Sequence, residues 1–413
     1  MELNKIICGD ALEELRKMPS ESIDMCITSP PYFGLRDYSV EGQLGLELTL
    51  NEYLDKILLI TAELKRVLKK TGTMWWNHGD SYGGSGNGSW NAPIEIRGKQ
   101  YRKNISIDQE YLGPPRKDKA LIPKCATMQN YRLAIRMCDE QGWILRNQII
   151  WHKPNCMPSS VKDRFTVDYE PVFFWTRSKK YWFEPQYEAF ESNDHDIRRM
   201  KGGRVEYSGK WGANTGENNK IPYKQNNPHL QRLRSAIPTT QRAFVAGRST
   251  GRNKRSVWKI ATKPFAEAHF ATFPETLIET PIKAGCPEMI CKKCGVAREK
   301  IFKSMFKQHS IGATSGAYLK ERNFKGDNTV RNSQEFTGEY TDCGCNAGWD
   351  SGIVLDPFMG AGTTALVAKK FGRNYLGVEL NKSYIDIANR RLAQGVLKIA
   401  EARIEKECPL TLF

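Results

Sequence analysis

The tetrapeptide Ser29-Pro30-Pro31-Tyr32 places a hydroxyl and an aromatic ring at the end of a short apolar run, where they could contact a ligand. Proline ends a strand because it supplies no N–H to the hydrogen-bond ladder, and it also holds the backbone rigidly. The pattern by itself is equally typical of a rigid turn that merely closes a strand. Both interpretations therefore stay open on this stretch alone.

A second stretch, residues 353–380, combines a glycine turn with an acid at the end of a strand. Its sequence, IVLDPFMGAGTTALVAKKFGRNYLGVEL, predicts a strand, a turn, a helix and a second strand. Gly360 and Gly362 allow the backbone to approach a ligand closely at the start of the helix. Glu379 closes the second strand, where a carboxylate can accept hydrogen bonds from ribose hydroxyls. The stretch therefore fits a nucleotide-like ligand at the carboxyl ends of parallel strands. The turn departs from the dinucleotide pattern G-x-G-x-x-G and no Walker lysine follows it, so it matches neither of those two motifs.

Two close cysteine pairs could bind a metal. Cys291-x-x-Cys294 and Cys343-x-Cys345 together fit a four-thiolate zinc site, and Cys286 is near enough to replace one ligand. The alternative is that these are reduced cysteines in two turns. A zinc ion here would be structural, because no step of the chemistry considered below needs it.

Predicted strands and helices alternate around these residues. Strands are expected at KIICGD, IDMCIT, TMWW, ILRNQIIW and EPVFFWT, and a helix at QNYRLAIRMCDEQGW. A longer helix is expected from Thr49, which forms a capping box with Glu52, to a stop near Gly72. This alternation predicts an α/β fold with a mostly parallel sheet covered on both faces.

The amino-acid composition indicates the class of protein and the kind of partner that it binds. The 413 residues are 40% hydrophobic and 10% aromatic, which suits a globular chain and not a disordered one. The formal net charge of +16 favours nucleic acid as a partner, although a basic protein can also be merely soluble. Much of the excess lies in residues 198–259, where the only acids are Glu206 and Glu217. Residues from about 78 to 120, rich in Gly, Asn, Ser and Lys, predict a mobile loop.

Cellular location follows from what the chain lacks. It shows neither a secretory signal nor an apolar run long enough to cross a bilayer. Its eleven cysteines are therefore expected to be reduced thiols, and a cytoplasmic location is expected.

The two motifs together resemble those of DNA amino-methyltransferases that use S-adenosylmethionine (SAM). Asp356-Pro357-Phe358, followed by Gly360-Ala361-Gly362-Thr363, resembles the SAM motif of that family. Ser29-Pro30-Pro31-Tyr32 resembles its catalytic tetrapeptide, whose first position is Asp, Asn or Ser and whose last is aromatic. The catalytic motif precedes the SAM motif, an order that resembles the circularly permuted β class with a target-recognition segment between the motifs.

The resemblance implies a SAM-methyltransferase sheet in which KIICGD supplies a missing strand beside the one that ends at Glu379. Asp10 would then accept a hydrogen bond from the adenine amine of SAM, although it could instead cap the next helix. HFATFPETLIETPIKAG resembles the segment that packs against the methionine end of SAM. The implied cofactor-binding residues are Asp10, Ala11, Phe270, Thr272, Phe273, Asp356, Phe358, Gly360, Gly362, Thr363 and Glu379.

The implied reaction is attack of an exocyclic base amine on the sulfonium methyl of SAM. The Ser29 hydroxyl and the Pro30 carbonyl would accept the two amine hydrogens, Pro31 would keep the turn rigid, and Tyr32 would stack on the flipped base. The proton would then leave to water. Family members with Ser in the first position more often modify N4 of cytosine, so N4 is favoured and N6 of adenine is the alternative.

Two further readings remain open. The same fold could act on RNA or on a protein glutamine, or the chain could be a catalytically silent, zinc-stapled DNA-binding protein. The resemblance implies double-stranded DNA as partner and leaves open both a cognate restriction endonuclease and the oligomeric state. Arg252, Lys254 and Arg255 of the basic segment are expected to bind DNA.

The predicted domain organisation has four parts. They are a catalytic half at 1–177 with the mobile loop at about 78–120, a target-recognition insertion at 178–265, a SAM-binding half at 266–285 and 346–413, and a cysteine-containing insertion at 286–345.

Overall fold

The computed structural model describes residues 1–35, 38, 40–83, 94–96, 99–101, 118, 120–188, 252–263, 272–307 and 331–407. The chain divides into two compact units. The first comprises Met1–Gln186, Arg255–Arg298 and Asp342–Phe413, and the second comprises Tyr187–Lys254 and Glu299–Thr341.

The described part of the chain contains the following elements. The strands are β1 (Lys5–Cys8), β2 (Ile23–Thr28), β3 (Leu68–Asn77), β4 (Ile94–Ile96), β5 (Lys99–Tyr101), β6 (Ile144–His152), β7 (Tyr169–Thr176), β8 (Tyr187–Glu188), β9 (Arg252–Asn253), β10 (Val257–Lys259), β11 (Ile290–Cys291), β12 (Lys300–Lys307), β13 (Arg331–Tyr340), β14 (Trp349–Asp350), β15 (Ile353–Asp356) and β16 (Asn374–Glu379). The helices are α1 (Ala11–Lys17), α2 (Leu50–Val67), α3 (Gln129–Gln141), α4 (Glu275–Gly285), α5 (Thr363–Lys370) and α6 (Lys382–Glu407).

The first unit is built on an eight-stranded sheet in the order β1-β16-β15-β2-β3-β7-β6-β10. The first five strands are parallel, and β7 runs antiparallel to both β3 and β6. The predicted mostly parallel α/β sheet is therefore confirmed. The carboxyl ends of the five parallel strands share one edge, which is where ligands bind in such sheets.

The chain is permuted as the motif order predicted. β1 pairs in parallel with β16, with Cys8 opposite Glu379, so the N-terminal strand completes the half of the sheet that the C-terminal stretch begins. β15 pairs directly with β2. The two motifs therefore follow adjacent strands, and a buried hydrogen bond of 2.6 Å from Thr28 Oγ1 to Asp356 Oδ1 joins those strand ends.

Helix α2 begins as its sequence predicted. Thr49 Oγ1 accepts from the backbone N–H of Glu52, and the Glu52 carboxylate accepts from the N–H of Thr49, which is a complete capping box. Such a cap stabilises a helix end by about 0.5–2 kcal/mol.

The end of α2 differs from the prediction. The helix ends at Val67 and not near Gly72, because β3 already begins at Leu68 and pairs with β2. Lys69 Nζ lies 2.7 Å from the buried Asp24 carboxylate of β2, so this lysine serves a strand-to-strand ion pair and not a helix terminus. Tertiary pairing outweighs the local helix propensity of the Leu-Lys-Lys sequence.

The sheet is covered on both faces by separate apolar clusters. On one face α1, α2 and α3 pack against the sheet around Leu15, Leu64 and Trp76. On the other face α4 and α5 pack around Ile282 and Trp75. Consecutive tryptophans of β3 enter opposite clusters because strand side chains alternate between faces.

The second unit contains the described hairpin β12–β13 and the short pair β8–β9. Phe302 lies opposite Phe336 across the hairpin, with ring centroids 6.0 Å apart, and the Lys300 ammonium lies 5.7 Å from the Phe336 ring. Cross-strand aromatic pairs of this kind stabilise a hairpin by about 0.2–1 kcal/mol.

Candidate active site

A pocket that is open to solvent lies at the carboxyl ends of the parallel strands, and its volume is about 150 Å³. Residues from both sequence motifs line it together. The predicted site residues that line the pocket are Asp10, Ala11, Ser29, Pro31, Thr272, Phe358, Gly360 and Glu379. Its other lining residues are Gly9, Tyr38, Val40, Gly42, Gln43, Leu44, Pro357, Ala361, Leu380, Asn381 and Tyr384.

Asp356 holds the glycine turn and does not itself line the pocket. Its buried carboxylate accepts hydrogen bonds of 2.6 Å from the Thr28 and Thr364 hydroxyls and one of 3.0 Å from the N–H of Phe358. Burial raises the pKa of Asp356 to about 6, against the opposing effect of these three donors. The residue ties β2, β15 and α5 together beneath the pocket.

Glu379 faces the pocket while it is anchored to the glycine turn. Its carboxylate accepts 2.8 Å hydrogen bonds from the backbone N–H of Gly360 and from that of Asn381. Burial raises the pKa of Glu379. A carboxylate offers roughly four acceptor positions, so acceptor capacity remains for a ligand hydroxyl.

Three other predicted cofactor residues do not line the pocket. Gly362 has a positive φ of 78°, and a side-chain carbon there would meet Cβ of Ala388 at 2.7 Å, so this glycine permits α6 to pack closely. Thr363 begins α5 and is buried, and its hydroxyl accepts from Arg391. Phe273 lines a separate small cavity. A fourth, Phe270, is outside the described residues.

Asp10 both caps a helix and lines the pocket. Its Oδ1 atom accepts from the N–H groups of Leu12 at 2.9 Å and Glu13 at 3.0 Å, which satisfies two free donors at the start of α1. The cap that the sequence allowed is present, and the other carboxylate oxygen remains for a ligand.

The tetrapeptide follows β2 directly. Ser29 and Pro31 line the pocket, whereas Pro30 is buried. The Tyr32 ring stacks on His78, with centroids 5.0 Å apart and an interplanar angle of 29°. The Tyr32 hydroxyl lies 3.2 Å from Ser29 Oγ and donates a 3.1 Å hydrogen bond to Glu170.

A buried network fixes the backbone of the tetrapeptide. Burial lowers the pKa of His78 to about 3, so its imidazole is neutral. Trp76 Nε1 donates to His78 Nδ1 at 3.3 Å, which leaves the ring proton on Nε2, 3.2 Å from the Tyr53 hydroxyl. Tyr53 in turn donates a 2.8 Å hydrogen bond to the Pro31 carbonyl. Sequence reasoning assigned His78 no catalytic role and did not find Tyr53 or Glu170, because only the fold brings them to Pro31 and Tyr32.

The four predicted cysteines converge. The Sγ atoms of Cys291, Cys294, Cys343 and Cys345 all lie within 4.8 Å of one another, and Cys286 is outside this group, buried at the end of α4. A tetrahedral zinc site has Zn–S distances of about 2.3 Å, so its sulfurs lie roughly 3.8 Å apart. The N–H of Cys294, followed by that of Lys293, lowers the pKa of Cys291 to about 6, whereas hydrogen bonds among the thiols raise the pKa of Cys343 and raise that of Cys345 to about 12. The donor set and its geometry fit zinc.

The predicted DNA-binding residues are placed only in part. Arg252 and Lys254 belong to the second unit, and Arg255 leads into β10 of the first unit. Lys254 and Arg255 are exposed. The rest of the basic segment as far as residue 251, and most of the predicted loop at 78–120, lie outside the described residues.

Comparison with known proteins establishes the family. A model of the family described as DNA methylase, of the N6/N4 type, matches residues 23–290 and 345–390. The type II methyltransferase M.Cfr9I of Citrobacter freundii is 32% identical over 408 residues, which cover 97% of this chain and 93% of that protein. M.XycI of Xanthomonas campestris pv. cyanopsidis, also a type II methyltransferase, is 33% identical over 400 residues, covering 95% and 90%. This chain belongs to the N6/N4 DNA methylase family, as its two motifs predicted.

One solved structure that resembles the chain is that of the cytosine-N4-specific PvuII DNA methyltransferase. The superposition has a TM-score of 0.44 at 16% identity and covers 96% of this chain and 95% of that one.

Among the described helices, none is both long and apolar enough to cross a membrane.

Proposed function

We propose that this methylase transfers a methyl group from SAM to N4 of cytosine in double-stranded DNA. The observation that carries the proposal is that Ser29 and Glu379, one from each motif, line the same pocket. A cofactor held at Glu379 and a base amine held at Ser29 would meet there, and such proximity removes much of the entropic barrier to reaction.

The residues around the pocket suit SAM. Glu379 would accept hydrogen bonds from the ribose hydroxyls, Asp10 would accept from the adenine amine, and Thr272 would lie at the methionine end. When bound, SAM would supply a methyl group on a positively charged sulfur. The glycine turn at Gly360 would let the backbone lie close to the cofactor.

The Ser29 hydroxyl and the Pro30 carbonyl would activate the base amine. The lone pair of such an amine is delocalised into the ring, and two acceptors on its hydrogens draw it toward a tetrahedral, more nucleophilic form. Tyr53 donates a hydrogen bond to the Pro31 carbonyl, and the Tyr32 ring stacks on His78. These two contacts hold the tetrapeptide in a fixed position. Both contacts leave the Ser29 side chain at the pocket surface.

Cytosine is preferred as the target because the first position of the tetrapeptide is Ser29, which in relatives of this family more often accompanies N4 chemistry. N6 of adenine is the second candidate, since both amines present two hydrogens. The segment 178–265, with Arg252, Lys254 and Arg255, would bind DNA and carry target recognition between a catalytic half at 1–177 and a SAM-binding half at 266–285 and 346–413.

The cysteine-containing insertion at 286–345 would carry a structural zinc ion. Both cysteine pairs belong to the first unit, and in sequence they bracket residues 299–341 of the second. The chain leaves the first unit after the first cysteine pair and returns to it before the second pair. A zinc ion held by all four thiolates would link these two places.

The test is methyl transfer from tritiated SAM to unmethylated plasmid DNA, followed by digestion to nucleosides and mass spectrometry. N4-methylcytosine is the expected product. Ser29→Ala should lower turnover far more than SAM affinity, because the lost contact is to the base and not to the cofactor. N6-methyladenine alone would overturn the choice of base, and the absence of label in DNA would overturn the whole proposal.

A further inference from the structure

The Ser29 hydroxyl is connected to a carboxylate through Tyr32. Tyr32 Oη lies 3.1 Å from Glu170 Oε2 and 3.2 Å from Ser29 Oγ. An ionised carboxylate can only accept, so the phenol donates to Glu170. The phenol has one proton, and it donates that proton to Glu170. In the contact between Tyr32 and Ser29, the Ser29 hydroxyl must therefore donate to the phenol oxygen. The Ser29 oxygen therefore keeps its lone pairs for a proton that arrives from the pocket.

Glu170 is held in place from two sides. Asn77 Nδ2 donates to its Oε2 atom at 3.2 Å, and the Lys153 ammonium pairs with its Oε1 atom. Glu170 is the second residue of β7, which runs antiparallel to β3. The start of β7 therefore lies at the edge where β2 and β3 end, and this places an acid beside the tetrapeptide.

We propose that Glu170 is the terminal acceptor of the proton that the target amine loses, through a relay of Ser29 and Tyr32. This inference rests on methyl transfer at Ser29 as proposed above. It replaces loss of the proton to water at the base with transfer along a preformed chain of hydrogen bonds.

The step balances. The amine nitrogen forms a bond to the methyl carbon, the carbon–sulfur bond breaks with its electron pair going to sulfur, and the nitrogen becomes positively charged. An amine proton passes to Ser29 Oγ, the Ser29 proton passes to the Tyr32 oxygen, and the phenol proton passes to the Glu170 carboxylate. Glu170 later returns this proton to solvent, since its side chain is 22% exposed.

Tyr32 can transmit the proton without retaining a charge. Burial, followed by the charge of Glu170, raises the pKa of the Tyr32 phenol well above its usual value, so the phenol stays protonated between turnovers. The competing explanation is that Glu170, Asn77 and Lys153 merely brace the Tyr32 ring. The two explanations differ for Glu170→Gln, whose amide oxygen can still accept a hydrogen bond from the phenol but cannot take up its proton.

The experiment measures single-turnover methyl transfer from saturating tritiated SAM to unmethylated plasmid DNA across a range of pH. The parent's rate should decline at acidic pH. Glu170→Gln should lower the rate by about 100-fold, within the range for general base catalysis, and should remove that decline. Tyr32→Phe keeps the ring on His78 and should lower the rate by a similar factor. The double variant should be no slower than the slower single variant, because the residues of a relay act as a unit.

Glu170→Asp keeps a carboxylate and should recover part of the lost rate. Asp168→Asn is the matched control, since this acid lies two residues earlier and faces His152 at 3.4 Å. It should keep the parent rate and pH profile. SAM affinity, measured by calorimetry, should be unchanged in every variant and shows that the pocket is folded.

The outcomes separate the two proposals. If the parent methylates DNA while Glu170→Gln or Tyr32→Phe keeps its rate and pH profile, the relay is wrong and the proposed function stands. If both variants are slow but their effects multiply in the double variant, the residues brace the site independently and the relay is again wrong. If the parent transfers no methyl group to DNA, both proposals are wrong.

Discussion

Replacing Glu379 with alanine should weaken SAM binding and destabilise the fold at the same time. The proposed ribose contact is a hydrogen bond to a charged group, whose loss costs about 1.5–3 kcal/mol. That cost corresponds to a rise in the Kd for SAM of about 10- to 150-fold. The carboxylate also accepts from the N–H groups of Gly360 and Asn381, which the substitution would leave without this partner.

The second effect can be separated from the first. Each partly buried donor left unsatisfied costs about 1–3 kcal/mol of folding free energy unless water replaces the carboxylate. The free energy of unfolding without SAM should therefore fall in Glu379→Ala, as measured by urea denaturation. Glu379→Gln keeps one acceptor oxygen and should fall between the parent and the alanine variant in both measurements.

Calorimetric titration of SAM into the purified protein gives the affinity. Glu140→Ala is the control, because this acid is half-exposed on α3 and pairs only with Arg136 among its described contacts. It should bind SAM as the parent does. If Glu379→Ala binds SAM with the affinity of the parent, the ribose does not lie at this carboxylate, whatever happens to stability.

Three further predictions concern metal, DNA and pH. Freshly purified protein should contain about one zinc ion per chain, and Cys294→Ser should lower that content; elemental analysis that finds no metal in the parent would contradict the four-thiolate site. Neutralising Arg252, Lys254 and Arg255 together should flatten the dependence of DNA affinity on salt while SAM affinity is unchanged, whereas an unchanged slope would place the DNA surface elsewhere. Since the pKa of Asp356 is raised to about 6 in the folded protein, the folded state retains a proton that the unfolded state has lost. Its contribution to the free energy of unfolding should therefore fall by about 3 kcal/mol as the pH rises from about 4 to about 6. Urea titrations at several pH values should show this fall in the parent and not in Asp356→Asn.

The sequence by itself was sufficient to predict the fold class and the two motifs that line the pocket. The capping box at Thr49, the glycine turn at Gly360 and the apolar strands are local patterns whose physical causes lie within a few residues. The resemblance of the motif order to the circularly permuted class also implied that β1 would complete the sheet beside Glu379, and β1 does pair with β16 there.

Local patterns were insufficient where tertiary pairing competes with them. The Leu68-Lys69-Lys70 sequence favours a helix, yet it forms a strand because β3 pairs with β2, where Lys69 also meets the buried Asp24. Asp356 belongs to the motif expected to bind cofactor, yet the Thr28 and Thr364 hydroxyls enclose it. In each case one deciding partner, Asp24 or Thr28, is distant in sequence and has no periodic signal.

The surroundings of the tetrapeptide were decided by the tertiary structure alone. Ser29 could be singled out from its neighbours in sequence, but Glu170 could not, because it reaches Tyr32 only after β7 pairs antiparallel with β3. His78, which follows β3, and Tyr53 of α2 contact the same turn for a similar reason, because they come together only in the folded core. A sequence pattern records which groups can react, whereas the packing of distant elements decides where a proton can go.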